Sequence, residues 1–133
     1  MTASDGELVA RARSAARNSY SPYSSFRVGA VVVADGVEYV GTNVENASYG
    51  ATICAEASAI AAAAAAGVRT IETVAVGCLD ADECYPCGNC RQLMREFSVE
   101  RVVVQDPSGS GVRVHALDDL LPHSFGPESL DGG

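Results

Sequence analysis

Two short stretches carry groups able to do chemistry: Cys54-Ala55-Glu56 and Cys87-Gly88-Asn89-Cys90. Each stretch reads as the start of a helix. Cys87 and Cys90 stand at i and i+3, so one helical turn aims both sulfurs the same way, and the positive end of the helix dipole favours thiolates there. Cys54 supplies a third sulfur. Three thiolates with one open position match a catalytic zinc site, whose fourth ligand is water rather than a side chain. Glu56 would stand beside that water, take its proton and return it to a leaving group. On a regular helix, residues two apart point about 200° from each other. Cys54 and Glu56 therefore converge only if the site lies at the open end of its helix.

The elements that must hold these groups follow from periodicity and turn chemistry. Ser4 and Glu7 have capping-box spacing, and Leu8, Val9, Ala12, Ala15 and Ala16 recur at helical intervals, which predicts a helix over residues 5–18. "FRVGAVVVA", Asp35-Gly36 and "VEYVGTN" predict a β-hairpin, because β-branched residues fill both arms and Asp-Gly accepts the positive φ of a tight turn. Thr52 is placed as the N-cap of an alanine-rich helix that runs to Gly67, a residue suited to the left-handed helix stop. "TIETVAVGCL" predicts a third strand. The helix of "PCGNCRQLMREFS" follows, with Pro86 at its start and Leu93, Met94 and Phe97 on an apolar side. "RVVVQ", the turn "DPSGSG" and "VRVHA" add two strands, and "LDDLLP" a last short helix. The expected architecture is α/β: a five-stranded mixed sheet covered by helices, parallel where helices cross over and antiparallel in the hairpins.

The chain has 133 residues, which predicts a single domain over 1–133 with a Gly/Pro-rich, flexible tail from about residue 128 to 133. Nine Lys and Arg against 17 acids give a formal charge of −8, which disfavours binding to a nucleic acid, since that affinity comes from basic groups releasing counterions. The N-terminus has no apolar signal core. The small-residue run from Ala55 to Gly67 is too short to span a bilayer, so no membrane association and a cytoplasmic location are expected. Five cysteines cannot all pair within one chain, and in a reducing compartment they favour metal or redox chemistry. Cys78, inside an apolar run, reads as core. His115 and His123 lack ligand spacing and read as structural or solvent-facing.

"CAE" followed by "PCGNC" resembles the zinc nucleoside deaminase signature, with Cys where that signature has its first His. "PYSSFRVGA", "NVENASYGATICAE", "PCGNCRQ" and "LLPHSFGPESL" together resemble the small homotetrameric cytidine deaminases, in order, from Pro22 to Leu130. The resemblance implies a three-layer α/β/α fold and hydrolytic deamination of cytidine and deoxycytidine in pyrimidine salvage. It implies one Zn2+ per subunit held by Cys54, Cys87 and Cys90, with Glu56 as catalytic proton shuttle. It places Phe26, Asn43, Glu45, Tyr49, Ala55 and Phe125 around the nucleoside. Asn43 and Glu45 fall where the family holds the ribose hydroxyls, and Phe26 where it packs on the pyrimidine. Tyr49 and Phe125 match positions that reach a neighbouring subunit's pocket, so the sites are shared in a homotetramer.

Other readings stay open at this level. Cys84, Cys87 and Cys90 also spell C-x-x-C-x-x-C, a partial iron-sulfur pattern or a thiol redox pair, though neither accounts for Glu56 or "NVEN". A non-catalytic nucleoside binder is another class, and a deaminase of a nucleoside antibiotic such as blasticidin S shares "CAE" and "PCGxCRQ". One position departs from the apparent family: Ala57 stands where arginine often follows the catalytic glutamate. Three thiolates then need compensating charge from elsewhere, which we assign to the two helix N-termini and to Arg91, adjacent to Cys90.

Overall fold

The structure, a computed structural model, describes residues 3–108 and 111–130. Among these, α1 spans Asp5–Ala16, β1 Val28–Ala34, β2 Val37–Thr42, α2 Ala55–Ala65, β3 Thr73–Cys78, α3 Gly88–Glu96, β4 Arg101–Gln105, β5 Val112–Ala116 and α4 Leu117–Leu120. The strands form one sheet in the order β2-β1-β3-β4-β5, with β3 and β4 parallel and every other neighbouring pair antiparallel. The mixed sheet expected from the element order is therefore present. The parallel pair flanks α3, as a strand–helix–strand crossover requires.

Strand alternation builds two cores on opposite faces of this sheet. Val31, Val33, Ala75 and Val103 face α1 through Leu8, Val9 and Ala12. Ala30, Val32, Val74, Val76, Val102 and Val104 face α2 and α3 through Ala59, Ile60, Ala63, Cys90 and Met94. The result is three layers, helix on sheet on helices. Each fully buried Val or Ile adds about 1.5–3 kcal/mol of hydrophobic stabilisation. Close approach also matters: a Cβ on Gly41 would lie 2.4 Å from the Ala59 nitrogen, so α2 seats directly on β2.

Element ends differ from the sequence expectation in instructive ways. α1 keeps its Ser4–Glu7 capping box but stops at Ala16 rather than near residue 18. α2 does not begin at Thr52. Residues Tyr49–Ala51 form a 3-10 turn that Thr52 closes, and the Thr52 hydroxyl accepts from the Asn46 amide at 3.1 Å, so Cys54 becomes the N-cap. At the other end Gly67 has φ +96°, and Val68 N–H donates to Ala63 O at 3.1 Å, a glycine stop as expected. The third strand is shorter than "TIETVAVGCL", because the Ile71 amide is already committed to the Phe97 carbonyl at 2.9 Å. Asp35 and Gly36, with φ of 51° and 76°, make the tight hairpin turn. Of the tail, Pro127–Ser129 form a short 3-10 turn, while residues 131–133 lie outside the described residues, as do Gly109 and Ser110 of the "DPSGSG" turn.

Candidate active site

Cys54 and Cys87 are the N-caps of α2 and α3, both with extended backbone and neither with a side-chain cap hydrogen bond. N-caps ordinarily hold Ser, Thr, Asp or Asn, whose oxygen satisfies a free amide of the first turn. Here a thiol takes the position, and its carbonyl still starts the helix: Ser58 N–H donates to Cys54 O at 3.0 Å and Arg91 N–H to Cys87 O at 2.9 Å. Two positive helix ends thus converge on sulfur. The Sγ atoms of Cys54, Cys87 and Cys90 all lie within 4.8 Å of one another, and Cys54 Sγ is 3.9 Å from Cys87 Sγ. Because Cys54 lies outside the helical turns, the angular conflict with Glu56 does not arise.

Electrostatics tests whether these groups suit a metal. The hydrogen bond from Cys90 lowers the Cys54 thiol to about 6 against the opposing effect of burial, and the same bond, with burial, drives the Cys90 thiol upward. Ionising Cys54 thus works against ionising Cys90 beside it. A divalent cation removes that conflict, and three clustered sulfurs select a borderline-soft ion such as zinc. Glu56 is 5% exposed, and burial, with the charge of Cys54 adding to it, pushes its carboxyl up to about 7. Its carboxyl also interacts with Cys90.

These residues open into a cavity of about 190 Å³ lined by Phe26, Asn43, Cys54, Ala55, Glu56 and Cys87, together with Val28, Thr52, Val76, Cys84 and Tyr85. Larger clefts elsewhere on the surface hold none of the three clustered cysteines. Cys90 is buried behind this wall. Glu45, Tyr49 and Phe125 do not line it. Glu45 Oε1 accepts from Tyr23 N–H at 2.9 Å and Ser24 N–H at 3.1 Å, and its Oε2 accepts from the Ser24 hydroxyl. Tyr49 and Phe125 are 78% and 58% exposed. Arg91 donates from Nε to Pro86 O and from Nη1 to Leu120 O, both at 2.8 Å, tying the approach to α3 onto the end of α4.

Asn43 is more committed than its sequence position suggests. Its Oδ1 accepts from Val28 N–H at 3.0 Å and from the Ser19 hydroxyl, and its Nδ2 donates to Phe26 O at 2.8 Å. One amide proton remains. The Glu45 carboxylate keeps acceptor capacity on Oε2. The two residues therefore keep one free donor and one free acceptor between them. Sequence reasoning did not find Cys84 and Tyr85 as wall residues, although their place just ahead of Pro86-Cys87 is a usable signal. Cys84 interacts with the buried Cys78, not with the three-sulfur group, and burial raises its thiol. The iron-sulfur and Cys84–Cys87 redox readings thereby lose their geometry.

Residues 2–106 match the family model described as the cytidine and deoxycytidylate deaminase zinc-binding region. The chain is 40% identical over 126 residues to the cytidine deaminase of Mycobacterium tuberculosis, covering 92% of this chain and 90% of the relative. To that of Sporosarcina psychrophila it is 37% identical over 126 residues, 93% of each. A crystal structure of cytidine deaminase from Burkholderia pseudomallei superposes with a TM-score of 0.84 at 41% identity, covering 92% of this chain and all of that one.

Proposed function

Since this chain belongs to the cytidine and deoxycytidylate deaminase family, we propose that its cavity is the place where a cytosine nucleoside is hydrolysed. The reaction is zinc-dependent deamination: cytidine and water give uridine and ammonia. One observation carries the assignment of residues: the buried Glu56 lines the same small cavity as Cys54 and Cys87, whose sulfurs cluster with that of Cys90.

Cys54, Cys87 and Cys90 hold the zinc, which when bound acts as a Lewis acid and lowers the pKa of water toward neutrality. Glu56 takes a proton from the attacking water on its carboxylate and delivers it to ring N3. The water oxygen bonds to C4, and Glu56 then moves the proton of the resulting C4 hydroxyl to the exocyclic nitrogen, so that the C4–N bond breaks, ammonia leaves and a C4 carbonyl remains. Phe26 packs on the pyrimidine, and Ala55 closes the wall beside it. The free Asn43 amide proton and the spare Glu45 lone pair complement a sugar diol, which both accepts and donates. Deoxycytidine is a second substrate on this reading. Arg91 fixes the loop ahead of Cys87 and brings a positive charge close to the sulfurs.

The assembly is read as a homotetramer with shared sites. Tyr20, Tyr23, Val44, Tyr49, Ile53 and Phe125 leave more apolar surface exposed than one chain covers, and Tyr49 and Phe125 would reach a neighbour's cavity. Among the described residues no helix is long and apolar enough to cross a membrane. A cytoplasmic role in pyrimidine salvage completes the proposal. The decisive experiment incubates the purified protein with cytidine, deoxycytidine, cytosine, adenosine and blasticidin S and measures metal on the same sample. Uridine and ammonia from cytidine, with about one zinc per chain, are expected. Cytidine left intact by zinc-loaded protein would sink the proposal.

A further inference from the structure

Tyr85 lines the catalytic cavity two residues ahead of Cys87, and its hydroxyl lies 3.0 Å from His115 Nε2 on β5. The two rings also touch, with centroids 5.3 Å apart. Arg113 projects from the same face of β5 and interacts with the same hydroxyl, while its guanidinium faces Glu83 and Asp106 at 3.9 Å each. Tyr85 itself is half-buried and packs against the core beneath α2 and α3. The wall segment between β3 and α3 is therefore fastened to the edge strand through one side chain. Neither Tyr85 nor His115 has a part in the proton transfers.

The position of this fastening bears on substrate choice. Carbon 4 of the pyrimidine must lie against the end of the cavity occupied by Cys54, Glu56 and Cys87. The exocyclic nitrogen it carries lies there too. Tyr85 lines the same cavity and stands two residues ahead of Cys87, so the placing of residue 85 bears on the room around this nitrogen. We propose that His115 is a positioning residue for substrate discrimination: by holding the Tyr85 hydroxyl it fixes the cavity wall and excludes pyrimidine nucleosides substituted on the exocyclic nitrogen. The inference rests on the deaminase reading of the cavity.

A double-mutant cycle on the zinc-loaded enzyme tests it, comparing kcat/KM for N4-methylcytidine with that for cytidine. Tyr85→Phe keeps the ring and its packing, and His115→Phe removes the acceptor. Each single change is expected to raise the N4-methylcytidine to cytidine ratio about five- to tenfold, the scale of one hydrogen bond. The double variant should exceed neither, because both act through the same bond. His115→Gln, whose amide oxygen can accept from the hydroxyl, should return the ratio toward that of the unmodified enzyme. Ratios unchanged within about twofold in both single variants, or multiplying in the double, would overturn the inference. Unmodified enzyme that fails to turn over cytidine at all would instead strike the deaminase reading, so the two failures are distinguishable. Zinc content measured on each variant separates a moved wall from a lost ligand set.

Discussion

Asn43 and Phe26 are joined by a hydrogen bond from the Asn43 amide Nδ2 to the Phe26 carbonyl at 2.8 Å, so a residue assigned to the sugar also fixes the residue assigned to the base. Asn43→Asp keeps the shape but replaces that donor with an acceptor facing a carbonyl. Loss of a part-buried hydrogen bond with an acceptor left unpaired costs about 1–3 kcal/mol. The expected outcome is a KM for cytidine raised by about ten- to a hundredfold with zinc content unchanged. A KM that stays put in steady-state assays would show that Asn43 does not hold Phe26.

Glu56→Gln removes the proton shuttle while keeping size and polarity. Turnover of cytidine should fall by about two to four orders of magnitude, the usual range for a positioned acid–base group. Zinc should remain at the level of the unmodified enzyme. Because Glu56 is buried and its carboxyl is pushed up by that burial, the neutral amide should also leave thermal stability equal or higher. Retained turnover in a stopped ammonia assay would remove Glu56 from the mechanism.

Metal removal has a readout in thiol chemistry. Of the five cysteines, Cys54, Cys87 and Cys90 would be masked by zinc, and Cys78 is fully buried. Titration of the folded enzyme with a disulfide reagent should therefore gain up to three reactive thiols after chelation. Activity should vanish in parallel and return with added zinc. A thiol count indifferent to the chelator would place the metal elsewhere.

The Ser4–Glu7 capping box supplies a pH dependence whose sign is fixed. The Glu7 carboxyl lies below the ordinary carboxylate value of 4.5, held there first by the Ser4 backbone amide and then by the Ser4 side chain. A group with its folded pKa lowered gives stability that is fully present above its unfolded pKa and lost as pH falls through the folded one. Glu7→Ala should accordingly melt at a lower temperature than the unmodified chain at pH 7, with the gap narrowing as pH drops below about 4.5. A gap of constant size from pH 7 to pH 3 would contradict a role for the ionised carboxylate.

Much of this architecture is legible residue by residue. β4 and β5 occupy the stretches "RVVVQ" and "VRVHA" because β-branched residues leave little alternative there. The pairing of Cys87 with Cys90 is legible from residue type and spacing, and the fold brings Cys54 to them. The start of α2 was not, since Thr52 and Cys54 both precede the alanine run and local propensity favours threonine as a cap. The choice is made by Asn46, whose backbone N–H donates to the Thr52 hydroxyl oxygen. The same holds for Tyr85 and His115, 30 residues apart with no periodicity linking them. Contacts of that kind belong to the sheet order, which brings β5 beside β4 and so within reach of the segment leading to α3.

Cys54 and Cys87 lie 33 residues apart, with β3 between them. An ion gripped by both, and by Cys90, acts as a clasp that closes this stretch into a ring. In an unfolded chain such a ring removes conformational freedom much as a disulfide of the same span does, worth about 3–4 kcal/mol in the chain-entropy model. Unlike a disulfide, this clasp opens to a chelator and persists in a reducing compartment. Zinc held there would govern how tightly the chain from Cys54 to Cys90 is bound to its fold, whereas α1 and the β1–β2 hairpin lie outside the ring and would feel the clasp only through their packing on α2 and β3.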